Sequence, residues 1–462
     1  MKTLQFVMLL ATAGRVAAQA PLAPPVATSS KLPATLDLSA AARTFTMFNG
    51  MKVTLVHSGD ERKAVVSLEL GTGEIDEPAF GPGLASLTAK ILLEGTIARS
   101  AQQIQRDAAS LGGGITVTAG PVSTSLAGEV VTGNIALYVS LLGDVVRHPL
   151  LDTAGFERVR RSTLQALDST LQNPADRARQ QWRALVFPDQ PFGRPYTHPA
   201  TLNALSLGHV RNVYDENFGA SRAHLYVSGV FNDDSVETAV RYAFSDWKAG
   251  VPAVSHESVP VARRQFMLVD WPGAPQSTIW AGLPVIDPSS ADFVKLEVAN
   301  ALLSGTFGLA NAWGVRGEEA VTHMGGSEIW QRKGASYWAD VAAVSADSTG
   351  AAIDGMFSQI ERLRRELPAV AELERVKQLV VGRFMELRRS REGIVRQLAY
   401  VNEHGLGQPW LTSYIDRVMA VSPEDVRLMA VTYLDPDRMT ITVVGDRTTV
   451  EPLIARFRAP IP

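Results

Sequence analysis

The sequence predicts an α+β protein made of two homologous domains, each a mainly antiparallel sheet packed against helices. Three observations carry this. Short β-rich runs and amphipathic helical runs are interleaved along the 462 residues. The second half repeats the residue order of the first. The composition, 46% hydrophobic and 20% charged, is that of a globular chain long enough for two cores.

The elements follow in order. Phe45–Ser58 (FTMFNGMKVTLVHS) places Asn49-Gly50 between two β-rich runs, a hairpin signal. Ala64–Gly73 reads as a central strand, Gly83–Glu94 and Ala101–Leu111 as helices, and Gly114–Ala119 and Thr124–Val131 as strands. Helices over Gly133–Val146 and Thr153–Leu171 stop at His148-Pro149 and Asn173-Pro174, because the residue before proline is pushed out of the helical region. A strand His224–Val230 and a helix Asp234–Ala243 close the first domain, 38–247. Residues 248–264 carry prolines and serines without period and read as a linker; 265–462 form the second domain.

The repeat is visible in single residues. Ser206, Val210, Arg211, Arg222 and Gly229 recur as Ser422, Val426, Arg427, Arg438 and Gly445, each 216 positions on. Gly95 in LLEGT recurs as Gly305 in LLSGT, 210 positions on. Several matches at nearly one spacing, in one structural order, indicate two copies of one unit.

The N-terminus has a different character. Lys2, an apolar run Leu4–Ala13 and small residues Val16-Ala17-Ala18 match a signal peptide over 1–18. Residues 19–37 are Pro/Ala/Ser-rich and read as a flexible leader. No later apolar run reaches the roughly 20 residues of a membrane span. The expectation is an exported, periplasmic bacterial protein. Cysteine is absent, which excludes a thiol nucleophile, disulfides and a Cys-ligated zinc. A net charge of −3 gives no reason to expect nucleic acid as partner.

One constellation bears on chemistry. Gly71-Thr-Gly73-Glu74-Ile-Asp-Glu77, Gly83-Leu84-Ala85, Leu92-Leu-Glu-Gly95-Thr96, Asn173-Pro174 and Pro191-Phe192-Gly193 stand in one order along the first domain. With the two-domain repeat, this order resembles the M16 zinc peptidases: the insulinase, pitrilysin and mitochondrial-processing-peptidase group. The resemblance runs from about residue 38 to 455 and is greatest to bacterial members with two M16-type domains per chain.

In active members, G-L-A is followed by H-x-x-E-H. Two imidazoles one helical turn apart grip Zn²⁺, and the Glu acts as general base on its bound water. At those positions this chain has Ser86, Ala89 and Lys90. The family's third ligand, a Glu, falls 76 residues after the second His and eight before the Pro of Asn-Pro; both counts lead here to Ala166. Ser86, Ala89, Lys90 and Ala166 are therefore degenerate metal-site positions, and no zinc is expected in this chain. The histidines (His57, His148, His198, His209, His224, His256, His323, His404) include no pair at helical ligand spacing; His148 and His224 read as structural. Active members also use an Arg and a Tyr seven residues later against substrate. Here VRGEEAVTH supplies Arg316 and His323, the candidate substrate-binding residues, while a rival match at Gly334–Tyr337 would place Trp330 on the Arg position.

The resemblance implies a non-catalytic subunit that pairs with a zinc-bearing M16 partner, zinc residing in that partner, to form a clamshell holding unstructured peptides. A stand-alone periplasmic peptide-binding scaffold, pairing with itself as a homodimer, is the alternative from another class. An active peptidase using an unrecognised site is a third.

Overall fold

The computed structural model describes residues 42–188, 190–194, 197–253, 258–304 and 326–458, without the side chains of 168–171. The strands are β1 (Ala42–Thr46), β2 (Lys52–His57), β3 (Lys63–Leu70), β4 (Thr116–Ala119), β5 (Thr124–Val131) and β6 (Ala223–Gly229), then β7 (Gln265–Asp270), β8 (Gln276–Pro284), β9 (Gly326–Trp330), β10 (Tyr337–Ser345) and β11 (Thr440–Gly445). The helices of the first half are α1 (Leu84–Ile91), α2 (Ala101–Ser110), α3 (Ile135–Arg147), α4 (Thr153–Leu171), α5 (Pro174–Val186), α6 (Pro199–Ala204), α7 (Leu207–Asn217) and α8 (Asp233–Phe244). Those of the second are α9 (Phe293–Ser304), α10 (Thr349–Arg365), α11 (Val370–Leu387), α12 (Arg391–Glu403), α13 (Gln408–Thr412), α14 (Tyr414–Met419), α15 (Pro423–Tyr433) and α16 (Arg447–Ile454).

The strands form two sheets, ordered β1-β2-β6-β3-β5-β4 and β7-β11-β8-β10-β9. Replace β2, β6, β3, β5 and β4 by β7, β11, β8, β10 and β9, and the first order becomes the second, with β1 extra. Only β2–β6 and β7–β11 run parallel; the remaining pairs are antiparallel. Local signals recur with the topology. Ser206 and Ser422 cap α7 and α15 by accepting from the backbone N–H three residues on. Asn173 and Ser390, 217 residues apart, cap α5 and α12.

The expected elements lie within about three residues of the observed ones, the strand Ala64–Gly73 ending early at Leu70; Thr124–Val131 and Thr153–Leu171 coincide with β5 and α4. The helix from Gly83 is shorter than expected. It gives way to a 3-10 turn at Leu92–Glu94 before Gly95, whose φ of 149° no other residue adopts easily.

Each sheet has a front and a back. In the first half, Leu84, Leu87 and Ile91 of α1, with α3 and α8, pack on the front with Val66, Leu68 and Leu126. The backs are covered reciprocally. α5 of the first half lies across the second sheet, where Trp182, Phe187, Trp280 and Tyr337 share a dry cluster. There the Trp182 indole donates to Thr440 O at 2.9 Å. α12 of the second half lies across the first sheet, packing Ile394, Val395 and Leu398 with Val56, Val65 and Tyr226. The segment 248–264 is held against α5 where it is described: Val261 N–H donates to Val186 O at 2.7 Å.

Candidate functional site

The residues that lead into α1 form a built support. Gly73 approaches so closely that a Cβ there would stand 2.4 Å from Gly120 O. Asp76 accepts from Arg222 Nη1 at 2.9 Å, an ion pair with only 4% and 10% of its side chains exposed. Arg222 also donates to Gly71 O and Val251 O. Glu77 turns its carboxylate onto the start of α1, accepting from Gly83 N–H and, at 2.7 Å, from Ala85 N–H. Burial pushes that carboxyl up to about 8, while the two backbone donors pull the other way. Gly83 itself sits at φ 94° against Thr197, where a side chain has neither the conformation nor the room.

The helix so fixed buries Leu84, Leu87 and Ile91 and turns the other face toward α4. On that face Ser86 is half-buried and Lys90, one turn later, is exposed. Lys90 Nζ donates to Thr163 Oγ1 of α4 at 3.4 Å. Ala166, one turn beyond Thr163, is exposed and offers a methyl group. The structure thus brings Lys90 against the helix that carries Ala166. This set of a hydroxyl, two methyls and an ammonium does not fit a zinc ion, since it supplies neither imidazole nor carboxylate. Among the described residues no group of three His, Cys, Asp or Glu is placed to hold a metal. Arg316 and His323 lie outside the described residues.

Of the described histidines, His148 caps α3 beside Asp144, and His224 belongs to a buried relay that sequence reading missed. Asn402 Nδ2 of α12 donates to Tyr226 Oη at 2.8 Å, and Tyr226 Oη lies 3.0 Å from His224 Nδ1. His224 Nε2 is 2.8 Å from Thr54 Oγ1, itself 2.9 Å from Thr44 Oγ1. Burial lowers the His224 pKa to about 3. The ring is therefore neutral and donates from one nitrogen only; Tyr226 donating to Nδ1 and Nε2 donating to Thr54 satisfies every member. Nearby on the same back face, burial raises the pKa of Glu69. No local signal announces this, because Asn402 is 176 residues from Tyr226.

β4 runs beside α1 and ends the first sheet, its outer edge unpaired among the described strands. Such an edge accepts an added strand through backbone hydrogen bonds.

Comparison with known proteins agrees with this architecture. Residues 52–200 match the family model described as Insulinase (Peptidase family M16), and 204–380 match the one described as Peptidase M16 inactive domain. An uncharacterized zinc protease of Mycobacterium leprae is 25% identical over 200 residues, 43% of this chain and 45% of that protein. The beta subunit of the mitochondrial-processing peptidase of Neurospora crassa is 22% identical over 215 residues, 46% of this chain and 45% of it. The chain matches about half the length of these curated relatives. Among solved structures, an M16 inactive domain from Pseudomonas fluorescens superposes with a TM-score of 0.78 at 17% identity, over 88% of this chain and 98% of that one.

Proposed function

From the M16 peptidase family, to which this chain belongs, we infer a role as the non-catalytic, exported subunit of a two-chain peptidase. The observation that carries the reading is the contrast at α1. Its support through Gly73, Asp76 and Glu77 is intact, while Ser86, Ala89, Lys90 and Ala166 replace every group that would bind and use zinc. A scaffold persists without its metal chemistry when the scaffold itself is used.

In this reading a second M16 chain bearing H-x-x-E-H holds the zinc and activates the water. The present chain closes the other half of the chamber. An unstructured peptide adds to the free edge of β4, and Arg316 and His323 contribute polar contacts to it.

The test is reconstitution. Purified alone, the chain is expected to bind no stoichiometric zinc and to cleave no unstructured peptide. Mixed with the H-x-x-E-H homologue of its host, it should form a complex more active than that homologue alone. Arg316→Ala should lower the kcat/KM of the assembled complex. Chelator-sensitive cleavage by the chain alone, or no association with any such homologue, would overturn the reading.

A further inference from the structure

We propose that Lys90 is a binding residue: with the hydroxyls of Ser86 and Thr163, it holds a carboxylate of a bound peptide between α1 and α4. The proposal rests on the peptide-binding reading above and names what the altered metal position recognises.

Three observations meet there. First, Lys90 carries a positive charge at the position of the second zinc-binding His, so the site keeps a cation although it holds no metal ligand. Second, among the described residues that cation has no counter-charge. Its one described contact is the neutral hydroxyl of Thr163 at 3.4 Å, and no described carboxylate pairs with it. Many of the chain's other cations are paired, as in Arg158 with Glu94, Arg222 with Asp76 and Lys295 with Asp425. Third, partial burial draws the Lys90 pKa below the ordinary lysine value. An ammonium already short of water gains more from an anion than a fully solvated one does.

The donors select the anion. One ammonium and two hydroxyls match the single charge and the two oxygens of a carboxylate. At the start of α1, the Gly83 and Ala85 N–H groups are already taken by Glu77. A peptide can bring the carboxylate from its C-terminus or from an acidic side chain.

The experiment uses the full chain and three fluorescent peptides of one apolar sequence: C-terminally amidated, with a free C-terminus, and amidated with one internal Asp. Wild type should bind at least one carboxylate peptide about 5–10-fold more tightly than the amide, the worth of roughly 1–1.4 kcal/mol. Lys90→Met should abolish that preference. The favoured carboxylate peptide should also shield Lys90, and no other lysine, from acetylation mapped by mass spectrometry. Equal affinity of wild type for all three peptides, a preference retained in Lys90→Met, or unshielded Lys90 would overturn the proposal while leaving the subunit role intact. No binding of any peptide would overturn both the proposal and the peptide-binding reading, but not complex formation with the zinc-bearing chain.

Discussion

α1 and α9 occupy the same place in the two halves, 210 residues apart, and treat it in opposite ways. On the face of α1 turned toward α4, Ser86 is half-buried and Lys90 is exposed. The corresponding residues of α9, Leu296 and Asn300, are 0% and 3% exposed. There the Trp338 indole donates to Asn300 Oδ1 at 2.8 Å, and the next turn buries Glu297 against Tyr414. One copy of the helix has been absorbed into a core; the other has lost its ligands and kept its surface. Loss of metal chemistry alone would let either outcome arise. Among the described residues, α4 lies against this face of α1.

Grafting each residue onto the other helix tests this contrast directly. Asn300→Lys puts an ammonium into a buried site and strands the Trp338 indole. The expected loss is about 3–5 kcal/mol, read from the urea midpoint. A loss below about 1 kcal/mol would mean that α9 is less sealed than its burial indicates. The arginines that precede β6 and β11 make a second pair. Arg222→Met breaks a buried ion pair and two carbonyl contacts at the support of α1, and should cost a comparable 3–5 kcal/mol. Arg438→Met, on the exposed counterpart, should stay within about 0.5 kcal/mol. Equal losses would erase the distinction between a locked and an unlocked entry loop.

That pair also shows what the sequence could and could not disclose. The repeat equates Arg222 with Arg438, and both precede a strand ending in glycine. Their environments differ because Arg222 is buried in an ion pair with Asp76, whereas Arg438 is exposed and donates to Ala262 O at 3.4 Å. Elements with strong local signals were legible: the caps at Ser206 and Ser422, the Asn173-Pro174 break, the alternation in β5. That α1 at Lys90 faces α4, the helix carrying Ala166, was foreshadowed only through the resemblance in motif order. The reciprocal laying of α5 and α12 across the opposite sheets was not, since nothing near Trp182 in sequence names Thr440, nor anything near Asn402 names Tyr226.

Glu297 sharpens the comparison through pH. Burial raises its pKa from an ordinary 4.5 to about 7, against the pull of the Tyr414 hydroxyl. Between those values the folded protein retains a proton that the unfolded chain has released. Stability from this group is therefore greatest below about pH 4.5 and is lost as pH rises through about 7, by on the order of 3 kcal/mol. Glu297→Gln keeps an acceptor for Tyr414 and removes the titration. It should be more stable than wild type at pH 8, the gap closing toward pH 5, in denaturant melts. An unchanged difference at the two pH values would show that Glu297 does not titrate in this window and that the interior around α9 is wetter than its burial implies.

The smallest expected effect is the reciprocal graft, Lys90→Asn. Lys90 is exposed, its one described contact is a long hydrogen bond to a hydroxyl, and its ammonium is partly stripped of water without a described ion pair in return. Removing it sacrifices no packing, because Leu87 and Ile91 on the opposite face hold α1 to the core. The change in unfolding free energy should lie within about 0.5 kcal/mol and could fall on the stabilising side. The same residue type at the equivalent helical position would then cost several kcal/mol in α9 and nothing in α1. A loss above about 1.5 kcal/mol for Lys90→Asn would instead give Lys90 a structural duty, and its place on α1 would need no ligand to account for it.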